Sequence, residues 1–355
     1  MPQQLRAAIV GTGFMGAVHA RAIGAANSSV HLVAARTTER ARALADTLPG
    51  SVPASFDDVL SSDVDIVHIC TPNHLHAEMA HRALAAGKHV VCEKPLAVTV
   101  GEAAELRDLA ASTGLVATVP FVYRYHAAVR LARTRIAADA SPPWLLHGSY
   151  LQDWLADPAA HNWRLDTGTG GASRAFGDIG IHWCDLVEFA TGQRITSVQA
   201  TLGAVHASRA GRPAATEDGG VIAFRTDAEA LGSLVISQVT AGRKNRLTFS
   251  LDGPDATYVF DQENPEALWI GGRETSQIVL RDPGLPGGRA DHLPPGHPQG
   301  YRECFADFVA DTHDAIRGGK PDGLPTFEDG LRAARITAAV LASHDGNSQW
   351  TEIPA

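Results

Sequence analysis

The feature that most constrains the fold is a glycine motif near the start of the chain. The sequence GTGFMG occupies residues 11–16, between an apolar run and a stretch of good helix formers. Gly11 would permit a tight turn, Gly13 would let the backbone approach a pyrophosphate, and Gly16 would allow close helix–strand packing. Because the motif follows a strand and opens a helix, it predicts a dinucleotide-binding unit with phosphate at the helix N-terminus.

The next hundred residues alternate between apolar runs of strand length and stretches of helix length. Further strands are predicted at residues 30–35, 64–70, 88–92 and 115–119, and helices at residues 38–48, 74–86 and 99–112. Such alternation is typical of a parallel sheet covered by helices on both faces, wound in the right-handed sense. We therefore predict a doubly wound Rossmann domain at residues 1–121.

The pattern changes after residue 121. One helix is predicted at residues 172–190, and several β-rich segments separated by turn residues follow between positions 195 and 280. These segments predict a large, open, mainly antiparallel sheet with helices on one face, in an α+β domain at residues 122–355. The sheet's other face would be exposed around Val235, Ile236 and Val239, which predicts a homodimer or homotetramer formed through this sheet.

Composition argues against several partners and locations. The 355 residues include 30 basic and 39 acidic side chains, a net charge of -9, with no basic stripe for nucleic acid. The apolar runs are shorter than the roughly 20 residues of a membrane helix, and the N-terminus lacks a signal-peptide layout. Four widely spaced cysteines and no CxxC or HExxH pattern indicate the cytoplasm and no metal site.

The end of the second strand bears on the choice of dinucleotide. An acidic residue there would bind the ribose 2′-hydroxyl of NAD, but no Asp or Glu closes this strand. Arg36 and Arg40 would lie one helical turn apart and could clamp a 2′-phosphate, with Thr37 as a hydroxyl donor. The alternative is two solvated arginines at a helix start. NADP is therefore preferred, and NAD stays open.

Two later motifs carry groups suited to oxidation of an alcohol. Lys94 leaves the strand at residues 88–92, at the edge where parallel sheets bind ligands, and Pro95 restricts its conformation. Asp178 and His182 are four residues apart and would share one face of a helix. The imidazole could accept an alcohol proton while the ammonium stabilises the same oxygen. Each residue alone could equally be structural, and only the combination is informative.

Together these motifs resemble the Gfo/Idh/MocA family of NAD(P)-dependent oxidoreductases. The resemblance covers almost the whole chain and rests on GTGFMG, TPNHLHAEMAHRALAAGKHVVCEKPLAVT and GDIGIHWCDL. It implies that Lys94 and His182 are catalytic, with Asp178 in the site, Glu93 near the nicotinamide ribose and Pro95 in a cis peptide bond. It also implies that the second domain binds substrate and makes oligomer contacts.

The family acts mostly on sugars and polyols, so we expect hydride transfer between the nicotinamide and a hydroxyl or carbonyl of a sugar, polyol or glycoside. Two alternatives stay open. One is a glycosidase of the same fold that retains its nucleotide, and the other is a non-catalytic sugar- or nucleotide-sensing regulator. Regulators of this family tend to lose the lysine or the histidine, and here both are intact.

The predicted site residues fall into two sets. The cofactor contacts come from four loops of the first domain: Gly11, Gly13, Phe14, Met15, Gly16, Arg36, Thr37, Arg40, Thr71, Pro72, Asn73, His76, Glu93 and Lys94. The substrate contacts combine aromatic faces, which stack on sugars, with groups that bind hydroxyls: Tyr123, Arg124, Trp154, Trp163 and Arg164, with Lys94, Asp178 and His182. For Trp154 and Trp163 a packing role is equally open. No phosphate clamp is recognised in the second domain, which favours a neutral substrate.

Overall fold

The computed structural model describes residues 4–160, 162–209, 211–282, 284–285 and 293–354. The chain divides into two compact units. Unit 1 consists of Met1–Val122 and Tyr301–Ala334, and unit 2 of Tyr123–Gly300 and Arg335–Ala355. Among the described residues, no helix has both the length and the apolar character needed to cross a membrane.

Unit 1 is built on a parallel sheet. Its strands are β1 (Arg6–Val10), β2 (Ser29–Ala34), β3 (Val52–Ala54), β4 (Ile66–Ile69), β5 (His89–Cys92) and β6 (Ala117–Thr118). The order across the sheet is β3-β2-β1-β4-β5-β6, and every neighbouring pair is parallel. This is the doubly wound order of a Rossmann domain, which confirms the prediction, and its switch point lies between β1 and β4.

The helices of unit 1 follow the strands in alternation. They are α1 (Phe14–Ala25), α2 (Thr38–Ala45), α3 (Phe56–Ser61), α4 (His76–Ala85) and α5 (Val100–Thr113). A 3₁₀ turn at Asn73–Leu75 precedes α4. Capping residues set several of their ends. α5 begins at a capping box between Thr99 and Glu102 and ends at Gly114, whose φ of 67° is left-handed.

Unit 2 contains a large mixed sheet. Its strands are β7 (Leu145–Leu151), β8 (Ile195–Gly203), β11 (Gly219–Thr226), β12 (Leu231–Ser237), β13 (Arg246–Asp252), β14 (Ala256–Asp261), β15 (Ala267–Gly272), β16 (Ser276–Leu280) and β17 (Thr351–Glu352), and a separate ribbon pairs β9 (Ser208–Arg209) with β10 (Arg212–Pro213). The order is β16-β15-β14-β13-β7-β12-β11-β8-β17. β7 and β12 pair in parallel and the other neighbours antiparallel, which confirms the predicted sheet.

Helices cover one face of this sheet and leave apolar side chains on the other. The helices of this region are α6 (Ala127–Ala138), α7 (Thr167–Gly170) and α8 (Ile181–Thr191), with 3₁₀ turns at Val122–Tyr125 and Trp163–Leu165. α6 and α8 pack against β7 and β13 to β15. Because strand residues alternate between faces, Val235 is exposed whereas Ile236 is buried. The prediction that Ile236 belongs to the exposed face is therefore wrong.

Two long helices complete the chain, α9 (Tyr301–Ile316) and α10 (Phe327–Asp345). α9 packs along α1 and buries Phe305, Phe308 and Val309. This apolar face places α9 in unit 1, whereas the predicted division assigned residues 301–334 to the second domain.

Candidate active site

The glycine loop has room where a dinucleotide would pass. Gly11 has a φ of 105°, and a Cβ there would lie 2.5 Å from the carbonyl oxygen of Cys70. A Cβ on Gly16 would lie 2.2 Å from the carbonyl oxygen of Gly11. Gly13 caps α1, and no atom of the described residues lies within 4 Å of the position that its Cβ would take. Because packing within the chain does not demand a glycine there, the open position fits a pyrophosphate at the helix N-terminus.

The side chains that open α1 flank this loop. Phe14 is the first residue of the helix and is 76% exposed. Met15 follows it, and its sulfur lies 4.0 Å from the Tyr301 hydroxyl on α9. The helix has no acidic residue in its first turn. An anion there would meet N–H groups with no carboxylate nearby in the helix.

The predicted phosphate clamp forms the start of α2. Arg36 and Arg40 are both exposed, and Thr37 is the N-cap, whose hydroxyl oxygen accepts the Arg40 N–H at 3.4 Å. Hydrogen bonds from its own backbone and from the Thr37 hydroxyl hold the pKa of Glu39 below its ordinary value. The clamp therefore contains an acidic side chain between its two arginines, and the Thr37 hydroxyl already has partners.

His76 ties the loop after β4 to the turn after β5. Its Nε2 lies 2.9 Å from the carbonyl oxygen of Thr71, and its Nδ1 lies 2.7 Å from that of Pro95. Burial, opposed by both carbonyls and by Glu93, lowers the pKa of His76. A neutral ring carries one N–H and donates to one carbonyl at a time. His76 is buried and so supports both loops from inside the unit, and Pro72 and Asn73 lie in the first loop, between Thr71 and His76.

The turn that carries Lys94 rests on a buried carboxylate. The Lys94–Pro95 peptide bond is cis, as the resemblance implied. Glu93 is 5% exposed, and its Oε2 accepts the backbone N–H of Lys94 at 3.1 Å. Its Oε1 accepts the Nε2–H of His19 at 3.0 Å. Burial raises the pKa of Glu93, but His19, Lys94 and His76 lower it below its ordinary value. Both oxygens of this predicted cofactor contact are thus engaged within unit 1.

In unit 2, Asp178 lies on a π-helical turn, Phe176–Gly180, that runs into α8. The predicted single α-helix over residues 172–190 is therefore wrong at its N-terminal end. The cause is a set of hydrogen bonds, two of them to Glu217, a residue far along the chain from this turn. The Glu217 carboxylate accepts the N–H groups of Arg174 and Phe176, and the Ser173 hydroxyl accepts that of Gly177. These bonds replace ordinary helical partners, and π turns are frequent at functional sites.

Asp178 is held by neighbours on two sides. Gln238 donates from Nε2 to Asp178 Oδ2 at 2.8 Å, and Nε of Arg164 lies 3.5 Å from Oδ1. The Arg164 guanidinium also lies over the Trp163 ring, 4.5 Å from its centroid. Three predicted substrate residues, Trp163, Arg164 and Asp178, are thus brought together.

Gln238 is itself oriented by a buried guanidinium cluster, Arg174, Arg209 and Asp218. Arg174 Nη1 donates to Gln238 Oε1 at 2.9 Å, and both arginines pair with Oδ1 of Asp218. Their side chains are at most 4% exposed. Because the amide oxygen accepts from Arg174, the amide nitrogen is the group that faces Asp178.

A second chain of polar contacts reaches His182. The Trp154 indole donates to Gln152 Oε1 at 2.9 Å, and Gln152 Nε2 donates to Asn245 Oδ1 at 2.7 Å. Tyr150 also donates to Asn245, at 2.8 Å, and its hydroxyl lies 2.6 Å from that of Tyr123. The Tyr123 ring meets the His182 imidazole edge to face, with centroids 5.0 Å apart. This arrangement positions the imidazole against a ring whose hydroxyl is already bonded.

Arg124 lies elsewhere in unit 2. Its guanidinium is buried, pairs with the Asp185 carboxylate and lies over the Phe189 ring, 5.2 Å from the centroid. These contacts are with α8, and its predicted substrate contact stays a prediction. Residues that the sequence did not reveal are Gln238, Arg174, Asn245, His19 and His68. The last two had a signal, because each is a histidine within an otherwise apolar segment.

Comparisons with known proteins agree with this geometry. The profile of an oxidoreductase family with an NAD-binding Rossmann fold, Gfo/Idh/MocA, matches residues 5–121, and that of the Gfo/Idh/MocA C-terminal domain matches residues 132–259. The chain belongs to the Gfo/Idh/MocA family. The predicted family, fold class and enzyme class are thereby confirmed, and the protein is an oxidoreductase with an NAD-binding domain.

Several relatives match along nearly the whole chain. Levoglucosan dehydrogenase of Pseudarthrobacter phenanthrenivorans is 30% identical over 99% of each chain. Inositol 2-dehydrogenase of Mycolicibacterium gilvum is 27% identical over 96% of this chain and 90% of its own. Among solved structures, levoglucosan dehydrogenase with NADH and levoglucosan has a TM-score of 0.93 at 30% identity, covering 99% of this chain and all of that one. An oxidoreductase domain protein from Kribbella flavida has a TM-score of 0.90 at 34% identity with the same coverage.

Proposed function

We propose that the protein is an NAD(P)-dependent dehydrogenase that transfers hydride between the nicotinamide and a hydroxyl-bearing carbon of a neutral sugar, polyol or glycoside. The observation that carries this proposal is the polar and aromatic group around Asp178. A carboxylate, an indole and a guanidinium lie together there, and sugars are bound by such combinations. Relatives named for levoglucosan and inositol support the substrate class.

We assign each residue of the proposed site one role in binding or in proton transfer. A bound nicotinamide supplies the hydride acceptor. Neutral His182 accepts the alcohol proton, and Lys94 donates a hydrogen bond to the substrate oxygen as negative charge develops. Asp178, held by Gln238, accepts a hydrogen bond from a substrate hydroxyl. The glycine loop and the residues after β4 bind the rest of the cofactor.

A screen of sugars and polyols with NAD⁺ and NADP⁺ tests this proposal. A dehydrogenase forms reduced nicotinamide in proportion to product, as absorbance shows. Release of product without net absorbance change would instead establish the glycosidase. Binding of sugar without any product would establish the regulator.

Substitution of the two proposed catalytic residues tests their roles. We expect His182→Ala to lower turnover about 10²–10⁴-fold, and Lys94→Ala by at least as much, with little effect on cofactor affinity. In the oxidation direction, the turnover of the wild type should rise with pH around the ordinary histidine pKa of about 6.5, and this rise should vanish in His182→Ala. Exposed His81 and Lys320 provide matched controls. Near-normal turnover with an unchanged profile would make His182 structural.

The proposal extends to a preference for the phosphorylated cofactor, which Arg36 and Arg40 support by their exposure at the start of α2. Arg36→Ala should weaken NADP binding by about 1.5–3 kcal/mol and leave NAD binding nearly unchanged. Titration calorimetry with both cofactors measures this, and exposed Arg21 gives the control substitution. Equal losses for the two cofactors would contradict the preference.

We also propose that the open face of the unit 2 sheet joins copies of the chain as a homodimer or homotetramer. Val221, Val235, Trp269 and Ile278 are between 39% and 67% exposed on its strands. Large exposed apolar surfaces are typical of interfaces. Light scattering that gave a monomer of 37.5 kDa at micromolar concentration would refute this. Cys70, Cys92, Cys184 and Cys304 all lie in the described residues and form no disulfide, which supports a cytoplasmic location.

A further inference from the structure

Two buried histidines stand behind the Lys94 turn, and with Glu93 they form an imidazole chain. His19 on α1 and His68 on β4 are both 0% exposed. Their Nδ1 atoms are 2.8 Å apart, and Nε2 of His19 lies 3.0 Å from Glu93 Oε1. The chain therefore runs from the interior of unit 1 to the residue that precedes Lys94.

The acceptor-only character of the carboxylate assigns the protons. An ionised Glu93 can only accept, so Nε2 of His19 carries a hydrogen. The contact between the two Nδ1 atoms then needs one hydrogen. Burial, reinforced by the neighbouring imidazoles of His19 and His313, which disfavour a further positive charge, holds the pKa of His68 well below its ordinary value. His68 is therefore neutral.

The remaining nitrogen decides the direction of donation. Nε2 of His68 is buried, and no hydrogen-bond partner for it lies among the described residues. A buried N–H without a partner is more costly than a buried lone pair on nitrogen, because proteins rarely leave such donors unpaired. Hence His68 keeps its hydrogen on Nδ1 and donates to His19, which donates to Glu93.

We propose that His19 and His68 are positioning residues for Lys94: they hold Glu93 as an anion whose second oxygen fixes the Lys94 backbone. This inference rests on the proposed role of Lys94 in catalysis. The groups that face Glu93 are His19, His76, Lys94, Cys70 and Cys92. Of these, His19 is the partner that is both hydrogen-bonded to the carboxylate side chain and fully buried.

A pair of substitutions at position 19 tests the proposal. His19→Met removes the donor, so burial then raises the pKa of Glu93 and the carboxyl binds a proton more readily than in the wild type. Turnover should fall about tenfold or more at pH 7 and recover as pH rises. His19→Gln keeps an N–H for Glu93 and should stay within about threefold of the wild type. Cofactor affinity should change little in either variant.

A double-mutant cycle with Glu93→Gln separates positioning from a general structural defect. Glu93→Gln cannot ionise, so it should lose turnover without the added pH dependence. Combining it with His19→Met should cost little more than Glu93→Gln alone. A uniform loss at all pH values in His19→Met, or additive losses in the cycle, would overturn the proposal.

The proton positions can also be measured without relying on turnover. Long-range ¹H–¹⁵N spectra of the ¹⁵N-histidine-labelled wild-type protein report the protonation of each ring between pH 5.5 and 9. We expect His19 protonated at Nε2 and His68 neutral with its hydrogen on Nδ1 throughout. If His68 titrates in this range, or if His19 carries no hydrogen on Nε2, the proposed imidazole chain is overturned even if dehydrogenase activity is found. The expected spectra without any dehydrogenase activity would instead count against the proposed function alone.

Discussion

The two units each bury a polar cluster behind a proposed active-site residue, and the two clusters differ in chemistry. In unit 1 the imidazole chain ends at the residue before Lys94. In unit 2 the guanidinium cluster reaches Asp178 through Gln238. Imidazoles change charge near neutral pH, whereas guanidinium groups stay charged. One cluster therefore works through neutral donors and a single anion, and the other through fixed positive charges.

The clusters also differ in what balances their charge. The imidazole chain needs one anion, Glu93, and neutral rings. The guanidinium cluster places two cations on one carboxylate, Asp218, with Glu217 beside them. Burial raises the pKa of Asp218, but hydrogen bonds from Arg209 and from the backbone of Val205 and His206 lower it below its ordinary value. Both buried carboxylates, Glu93 and Asp218, are therefore held as anions below their ordinary pKa values, but by different donors.

The largest expected effect comes from removing the shared anion of unit 2. Asp218→Asn removes the carboxylate that pairs with both Arg174 and Arg209, so the free energy of unfolding should fall by about 3–5 kcal/mol. Urea denaturation at pH 7 measures this. The control is Asp57→Asn. Asp57 pairs with Arg82, but its carboxylate is 80% exposed, so this substitution should lower the free energy of unfolding by at most about 1 kcal/mol. Similar losses at both positions would remove the contrast between buried and exposed pairs.

A smaller effect should appear when acid titrates the buried imidazoles of unit 1. Burial, aided by Arg317, lowers the pKa of His313 to about 4. An unfolded histidine binds its proton near pH 6.5, so this contribution to stability is complete above pH 6.5 and declines as pH falls towards 4. The loss between pH 7 and 4 should be about 3 kcal/mol.

Substitution identifies His313 as the source of that loss. His313→Gln should lose less stability on acidification than the wild type, as urea denaturation at pH 7 and pH 4 would show. The exposed His81→Gln should match the wild type. If His313→Gln and the wild type respond equally to acid, the buried ring does not titrate as described.

The smallest of the three effects concerns turnover and the link between cluster and site. Gln238→Leu removes the donor to Asp178 and leaves Arg174 without its amide acceptor. We expect a loss of about 1–3 kcal/mol in kcat/KM, or roughly 5–150-fold. Gln277→Leu, on exposed β16, is the matched control. A Gln238→Leu enzyme with unchanged kinetics would show that the guanidinium cluster serves folding alone.

Local patterns in the chain were enough to predict most of the architecture. The apolar runs and GTGFMG predicted the Rossmann sheet, because strand burial on both faces leaves a continuous apolar signature. EKP and GDIGIHWCDL located Lys94, Asp178 and His182 because their motifs are contiguous. The open sheet of unit 2 was predictable from turn spacing, although the parallel β7–β12 pair was not.

The supporting contacts could not be predicted, because they join residues far apart in the chain. His19 meets His68 only because β4 lies beside β1 in the sheet and α1 covers them. The π turn depends on Glu217, and Gln238 meets Asp178 across 60 positions. Such pairs follow from strand order and register, which single-sequence patterns do not determine.

The return of α9 to α1 has a consequence for how the chain is made. Unit 1 is discontinuous, so its N-terminal part is synthesised before Tyr123–Gly300 and must wait for Tyr301–Ala334. At typical synthesis rates the wait is on the order of ten to forty seconds. Throughout that time the surface of α1 that later packs against α9, where His19 meets the Phe305 ring, is uncovered. Until α9 is made, we therefore expect the nascent N-terminal segment to be more prone to aggregation than the finished unit.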